Sequence, residues 1–317
     1  MRLGVSLAVL ALLLYLLPWA EVQLAVGRLR GTVWLAVLAA FLIVHTGGAM
    51  KWRMLLGAGG SDLTRMQAIG CYGAGLFANL CLPSIVGGDV LRGVLAARIT
   101  SRGASALWGG LADRSIDILA LGILIGLGAL ATTEALAAGP VRNALLILIV
   151  AGAAALLSVA LAARRPLATW PRSMRRQAGR SLVALRRLRR RPSTALSALS
   201  IALAMQTAFI LLNAWIGRSI GIEVPLSVWF VAWPLAKIAG LAPISLGGLG
   251  VRDAALGGLL APLGVAPALG VVASLIWQSV MIVGGLIAGA TWWALGRSWR
   301  TNGSRRASPP STRPGSG

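Results

Sequence analysis

Acidic residues, histidine and cysteine are scarce in this sequence of 317 residues. It contains eight Asp and Glu, one His and two Cys, against 30 Lys and Arg. Because His45 is the only histidine, a histidine-rich metal site and a Ser-His-Asp catalytic arrangement are excluded. Cys71 and Cys81 lie ten residues apart, on different faces of one apolar helix, so we expect two small core residues and no disulfide.

The glycine cluster at 246–250 does not indicate a nucleotide-binding loop. It lacks the preceding strand, the lysine and the downstream acid that such loops use to hold phosphates or ribose. We therefore expect no ATP, no dinucleotide, no metal and no other cofactor.

The sequence is rich in long apolar runs. Hydrophobic residues make up 57% of it, and the mean hydropathy is +0.81. Six runs approach or exceed the roughly 20 residues that cross a bilayer as a helix. They are 3–20, 31–50, 116–132, 143–162, 194–216 and 270–296. The sequence predicts an all-α integral membrane protein, a polytopic helical bundle with about six full spans.

Two further apolar stretches, 66–98 and 226–264, are interrupted by Pro and Gly. Lys51, Arg53 and Arg65 fall on the cytoplasmic side only if the first stretch dips into the membrane and returns. We therefore predict two re-entrant segments that enter from opposite faces, which makes the halves pseudo-symmetric and inverted.

The formal charge of +22 comes from basic residues at the ends of apolar spans, a pattern of membrane topology that does not indicate nucleic acid. Residues 163–193 form a basic cytoplasmic loop, either an amphipathic helix on anionic headgroups or a plain solvated linker. Residues 297–317 are predicted to be a disordered basic tail. The transmembrane domain is then 1–296, multi-pass, with both termini cytoplasmic.

One four-residue pattern occurs twice, with an offset of 160 residues at every position. Its members are Pro83, Gly87, Gly88 and Arg92, repeated as Pro243, Gly247, Gly248 and Arg252. Broken helices in corresponding positions of two halves are typical of a transporter's midplane site, and a helix starting after the glycines would aim its N–H groups at an anion. Arginine matches a phosphate with two hydrogen bonds. The alternative is a tight helix packing site with arginines that snorkel to the interface.

Four of the eight acidic residues lie in or beside these stretches: Asp89, Asp113, Asp117 and Asp253. Charges at such depth should be paired. We expect Asp89 and Asp253 to neutralise Arg92 and Arg252 without ligand, and Arg114 to reach Asp117 three residues on. Purely structural ion pairs are the alternative to ligand binding.

The candidate substrate-binding residues are taken from the broken stretches, from 113–117 and from the lysine before the second break. They are Asn79, Pro83, Ser84, Gly87, Gly88, Asp89, Arg92, Asp113, Arg114, Asp117, Lys237, Pro243, Ser245, Gly247, Gly248, Gly250, Arg252 and Asp253. In this hypothesis the two motif arginines hold a phosphate and Asn79, Ser84 and Ser245 add hydrogen bonds. No catalytic residue is predicted.

Three stretches, 75–92, 113–117 and 243–253, resemble the flippase-like transmembrane region of lysylphosphatidylglycerol synthases, with Asp253 where Glu is common. The resemblance covers about residues 5–296. It implies a bacterial inner-membrane domain that in the synthases moves an aminoacylated phospholipid between leaflets. Only the tail follows residue 296, so we expect a stand-alone member without the aminoacyltransferase domain and without its activity.

The functional hypothesis is a flippase-like transporter for an anionic phospholipid or lipid-linked headgroup, and not an enzyme. One alternative is a membrane-embedded transferase that uses Asp113 or Asp117 as general base. Another is a non-transporting subunit that anchors a separate synthetic enzyme. The expected partners are membrane lipids and not nucleic acid, and a homo-oligomer is left open.

Overall fold

The computed structural model describes residues 19–81, 85–101, 103–132, 191–240 and 250–306, and in these ranges it contains helices and no strand. The helices are α1 Trp19–Arg28, α2 Gly31–Ala58, α3 Arg65–Cys81, α4 Ile85–Thr100, α5 Gly103–Ala131, α6 Pro192–Ser219, α7 Leu226–Ala239, α8 Val251–Leu260, a 3-10 turn Ala261–Leu263 and α9 Pro267–Arg306. The all-α prediction is confirmed for these ranges. The predicted span at 143–162, nearly all of the span at 3–20 and most of the loop at 163–193 lie outside them.

Within the described ranges, four helices are long and apolar enough to cross a membrane: Gly31–Ala58, Gly109–Ala131, Pro192–Ser219 and Pro267–Leu295. They coincide with four of the six predicted spans. At about 1.5 Å per residue, a helix the length of α2 or α6 measures about 42 Å, which exceeds the ~30 Å hydrocarbon layer. The ends of these helices therefore reach the headgroups, or the helices tilt.

The outward faces of these helices are apolar. Leu130 is 82% exposed, Ile43 is 72% exposed and Leu196 is 66% exposed. Water would penalise such a surface, whereas lipid tails do not. Polar and charged side chains such as Lys51 and Asp253 are instead fully buried, so the molecule is a multi-pass membrane protein with a partly polar interior.

Helix interruptions occur at both predicted places. α3 ends at Cys81 and α4 begins at Ile85, while α7 ends at Ala239 and α8 begins at Val251. The residues between them, 82–84 and 241–249, fall outside the described ranges. Proline lacks the N–H that a helix interior requires, which agrees with the ends of α3 and α7 shortly before Pro83 and Pro243 in the chain.

α3 and α4 form an antiparallel helix hairpin with very close backbones. The Gly88 N–H donates to Asn79 Oδ1 at 3.0 Å, and a Cβ on Gly75 would lie 2.9 Å from the Gly88 carbonyl oxygen and 3.4 Å from Arg92 Cβ. Neither glycine has room for a side chain. Small residues let the two backbones approach, which is the usual way membrane helices pack tightly.

A shift of 160 residues, the offset of the sequence repeat, carries α2 onto α6. Residues 31–58 become 191–218, and α6 spans Pro192–Ser219. The same shift carries α3, α4 and α5 onto ranges that overlap α7, α8 and α9 in order. In the described ranges, α2–α5 and α6–α9 therefore occur in the same order along the chain.

The contacts among these eight helices also correspond when α2–α5 are matched in order with α6–α9. Within the halves, α2 contacts α3 and α5 as α6 contacts α7 and α9, and α4 packs on α3 and α5 as α8 packs on α7 and α9. Between the halves, α3 packs on α9 as α7 packs on α5, and α2 contacts α9 as α6 contacts α5. α2 and α6 contact each other at the centre.

The last helix is longer than the sequence predicted. α9 continues to Arg306, ten residues into the segment 297–317 that was expected to be disordered. Extending an existing helix by one residue costs much less than starting one, so a polar continuation of a long span can remain helical.

Candidate functional site

Six charged side chains from α2, α4 and α5 form one ion-paired group, which we call the first ion cluster; Lys51, Arg92 and Asp113 are buried and the other three are partly exposed. Its members are Lys51, Asp89, Arg92, Asp113, Arg114 and Asp117. Three cations face three carboxylates, so the formal charge of the cluster is zero. Charges inside a membrane protein are tolerated only when they are paired in this way.

Arg92 lies at the centre of the first ion cluster. Its Nη2 is 2.8 Å from Asp113 Oδ2 and 3.0 Å from Asp89 Oδ1. The rings of Trp52 and Tyr72 each have their centroid 5.1 Å from the guanidinium carbon. With 4% of its surface exposed, Arg92 is enclosed by carboxylates and aromatic faces.

Lys51 connects α2 to α5. Its Nζ is 3.1 Å from Asp113 Oδ1 and also contacts Asp117 Oδ1. The position of Lys51 on the cytoplasmic side stays a prediction, whereas its side chain is fully buried. A single lysine at the end of an apolar run, seven residues before α2 ends, was the available indication of its burial.

The predicted pair between Arg114 and Asp117 is not formed. Arg114 Nε instead donates to Asp89 Oδ2 at 2.5 Å, while Asp117 pairs with Lys51. Spacing along α5 permitted the predicted pair, but α4 and α2 supply partners from two other directions. Tertiary neighbours therefore replace the local pair.

The second half contains a smaller buried group, the second ion cluster, which consists of Arg252, Asp253, Ser274 and Gln278. Arg252 Nη2 is 3.1 Å from Asp253 Oδ1 and donates to Gln278 Oε1 at 2.9 Å. Arg252 Nε donates to Ser274 Oγ at 3.0 Å, and Ser274 Oγ donates to Asp253 Oδ1 at 2.5 Å. These bonds join the start of α8 to α9.

Asp253 also fixes the beginning of α8. Its Oδ2 accepts the Gly250 N–H at 2.9 Å, which satisfies one of the amide groups that a helix start leaves unpaired. Gly250 has a φ of +81°, a conformation that glycine adopts without strain. The ring of Trp233 on α7 lies 5.8 Å from the Arg252 guanidinium carbon.

Both predicted neutralising pairs are present, Asp89 with Arg92 and Asp253 with Arg252. Asn79 accepts the Gly88 N–H and lies in the α3–α4 hairpin, and Gly87 is in the first turn of α4. The other predicted site residues fall outside the described ranges. They are Pro83, Ser84, Pro243, Ser245, Gly247 and Gly248.

A continuous series of ring contacts connects the two clusters. The centroid distances are 5.9 Å from Tyr72 to His45, 5.2 Å from His45 to Phe209, 5.8 Å from Phe209 to Trp277 and 5.5 Å from Trp277 to Trp233. Tyr72 contacts Arg92 and Trp233 contacts Arg252. The two arginines share no partner among the described side chains, and the sequence pattern did not indicate the rings between them.

Lys237 lies beside the middle of this series. Its Nζ donates to Gln206 Oε1 at 2.9 Å and is 5.6 Å from the centroid of Phe209. It forms no ion pair with the carboxylates whose side chains are described. Its position two residues before the end of α7 places it next to the second break.

The fold and the site define a polytopic α-helical membrane protein with buried ion clusters at two helix breaks. Residues 1–289 match the Lysylphosphatidylglycerol synthase TM region family. The chain belongs to this family, as the resemblance of its three motifs predicted. No curated protein and no solved structure matches the chain.

Proposed function

We propose that this protein is a flippase-like transporter that moves an anionic phospholipid or lipid-linked headgroup between the leaflets of a bacterial inner membrane. The observation that carries the proposal is the pair of buried, neutralised ion clusters at two interrupted helices. Burying so many charges is costly for a passive bundle. A polar interior beside broken helices is the arrangement that transporters use for a midplane binding site.

The halves are proposed to be inverted repeats, with α3–α4 and α7–α8 as re-entrant segments from opposite faces. The offset of 160 residues and the matched packing of α2–α5 and α6–α9 support this symmetry. Six full spans and cytoplasmic termini belong to the same proposal. Inverted repeats permit two alternative states of similar energy, because one half can exchange conformations with the other.

The two motif arginines are costly places to bind phosphate. A phosphate at Arg92 must displace Asp89 or Asp113, and one at Arg252 must displace Asp253. A displaced Asp89 or Asp113 would keep one cation, Arg114 or Lys51, whereas a displaced Asp253 would be buried without its cation, which is strongly unfavourable. The transport proposal therefore requires a polar interior but does not require these two residues as the phosphate ligands.

A non-enzymatic role is part of the proposal. Asp113 and Asp117, the candidate bases of a transferase, are both engaged by cations, Arg92 and Lys51. A general base needs access to the proton that it removes. No nucleophilic side chain contacts either carboxylate in the described part of the chain.

A translocation assay in proteoliposomes tests the proposal. Phosphatidylglycerol with a fluorescent headgroup is placed in both leaflets, and a membrane-impermeant reductant then quenches the outer pool. We expect purified protein to expose the inner pool faster than protein-free liposomes do. An equal rate in both contradicts transport. An unchanged rate in an Arg92→Ala, Arg252→Ala double variant would mean that the arginines do not bind the phosphate, and it would not contradict transport.

A further inference from the structure

Lys237 differs from the ion-paired cations Lys51, Arg92 and Arg252, because none of the described carboxylates is paired with it. We infer that Lys237 is the residue that binds the anionic, phosphate-bearing headgroup, and that the arginines of the repeated motif hold the broken helices in place. The inference rests on the proposed transport function and names the ligand contact within it.

The motif arginines are already engaged by partners within the chain, although the buried Arg92 Nε has no hydrogen-bond partner. Arg92 has two carboxylates and two aromatic faces around it. Arg252 donates to Asp253, Ser274, Gln278 and the Met281 sulfur. Their partners come from neighbouring helices, so both arginines link the helix after a break to α5 or α9.

Lys237 is left with a single neutral acceptor. An ammonium group has three N–H donors, and among the described residues this one donates to Gln206 Oε1. The nearby carboxylate Asp117 is already occupied by Lys51. The end of α7 two residues later supplies a partial negative charge, but that effect is smaller than the cost of burying an unpaired cation.

Few acidic residues are available to neutralise Lys237 elsewhere in the chain. Of the eight acidic residues, only Glu21 and Glu134 have side chains outside the described set, and the segment 241–249 contains none. A cation at this depth without an internal partner is best neutralised by an anion that arrives from the membrane. Lysine acts there as a compact point charge for phosphate.

The surroundings of Lys237 suit a ligand between the two halves. Phe209 on α6 contacts both Lys237 and His45 on α2, and α2 and α6 are the helices that meet at the centre. The Nδ1 atom of His45 is buried and has no hydrogen-bond partner. It supplies a second polar contact for a headgroup held at Lys237, while the neighbouring rings exclude water.

Lipid-dependent thermal stability of the purified, full-length protein tests the inference. Melting temperatures are measured in neutral detergent with added phosphatidylglycerol, with phosphatidylcholine and with inorganic phosphate. We expect phosphatidylglycerol to raise the melting temperature of the wild type, because a ligand that binds the native state stabilises it. Lys237→Met is expected to weaken the apparent affinity about tenfold or more, since it removes a charge-assisted hydrogen bond. Lys237→Arg should retain most of the effect.

Lys51→Met provides the matched control, because it also removes a buried lysine of the same shape. Lys51 is paired with two carboxylates, so its loss should lower the melting temperature without lipid and keep the increment from phosphatidylglycerol. Lys237→Met should show the opposite result. Its melting temperature without lipid should stay close to that of the wild type, and the increment should disappear.

Three outcomes would overturn the inference. The first is a phosphatidylglycerol increment that is absent in the wild type or unchanged in Lys237→Met. The second is an equal increment with inorganic phosphate, which assigns Lys237 to free phosphate. The third is energetic coupling between Lys237→Met and Glu21→Gln or Glu134→Gln, which identifies an internal partner.

Failure of this inference is distinguishable from failure of the transport proposal. If the wild type and Lys237→Met translocate lipid at equal rates, Lys237 has no role in transport, and the transport proposal itself is not contradicted. If phosphatidylglycerol binds in a lysine-dependent way but is not translocated, the result supports the site at Lys237 and contradicts the transport proposal.

Discussion

Lys51 on α2 and Asp113 on α5 form an ion pair of 3.1 Å between Nζ and Oδ1, with both side chains almost completely buried. The pair joins the helix before the first broken stretch to the helix after it. Lys51 also holds Asp117, and Asp113 also holds Arg92. The removal of Lys51 alone therefore affects two carboxylates at once.

Lys51→Met is expected to destabilise the protein by about 3–5 kcal/mol, the usual cost of leaving a buried charge without its partner. Asp113 keeps Arg92, whereas Asp117 loses its only cation. Thermal or denaturant unfolding in detergent measures the loss. The double variant Lys51→Met, Asp117→Asn should recover part of it, and a single variant as stable as the wild type would contradict the ion cluster.

Gly88→Ala is expected to disrupt the α3–α4 hairpin. A Cβ at this position would collide with the Gly75 carbonyl oxygen and the Asn79 side-chain oxygen. Overpacking of this kind costs roughly 1–3 kcal/mol, measurable as a lower melting temperature. Gly122→Ala on α5 is the matched control, since nothing lies within 4 Å of its added Cβ. Equal stability of the two variants would argue against the close approach.

Arg252 and Asp253 are expected to be energetically coupled. They are joined directly and through Ser274 Oγ, and Asp253 also accepts the Gly250 N–H. A double-mutant cycle with Arg252→Met and Asp253→Asn should give a coupling energy of about 0.5–3 kcal/mol. Additive effects in this cycle would mean that the pair seen at the start of α8 does not contribute to stability.

Cys81 and Cys71 should differ in their reaction with a thiol reagent. Both are free, and Cys81 is exposed while Cys71 is buried. A small maleimide added to the folded protein in detergent should modify one thiol, and mass spectrometry identifies which. The modification should vanish in Cys81→Ala and persist in Cys71→Ala. Labelling that survives in Cys81→Ala would place Cys71 at the surface.

The helix breaks and the neutralising pairs Asp89–Arg92 and Asp253–Arg252 were predictable from the sequence. Proline and paired glycines act on the backbone locally, and residues one to three apart on a helix are close in any tertiary structure. The expected role of Cys71 as a core residue is confirmed by its burial, whereas Cys81, the last residue of α3, is exposed and is not a core residue.

By itself, the sequence determined that the chain crosses a membrane and where proline and glycine interrupt its apolar runs, since hydropathy and proline or glycine chemistry are local properties. Tertiary structure alone decided which carboxylate neutralises which cation. Lys51 and Asp117 are 66 residues apart. Arg114 pairs with Asp89 on α4 and not with Asp117, which is three residues further along α5. A buried charge binds the partner that the packed helices bring to it, because unpaired charges are most costly where water is absent. The same reasoning distinguishes Lys237, the cation to which packing brings no carboxylate of the described chain.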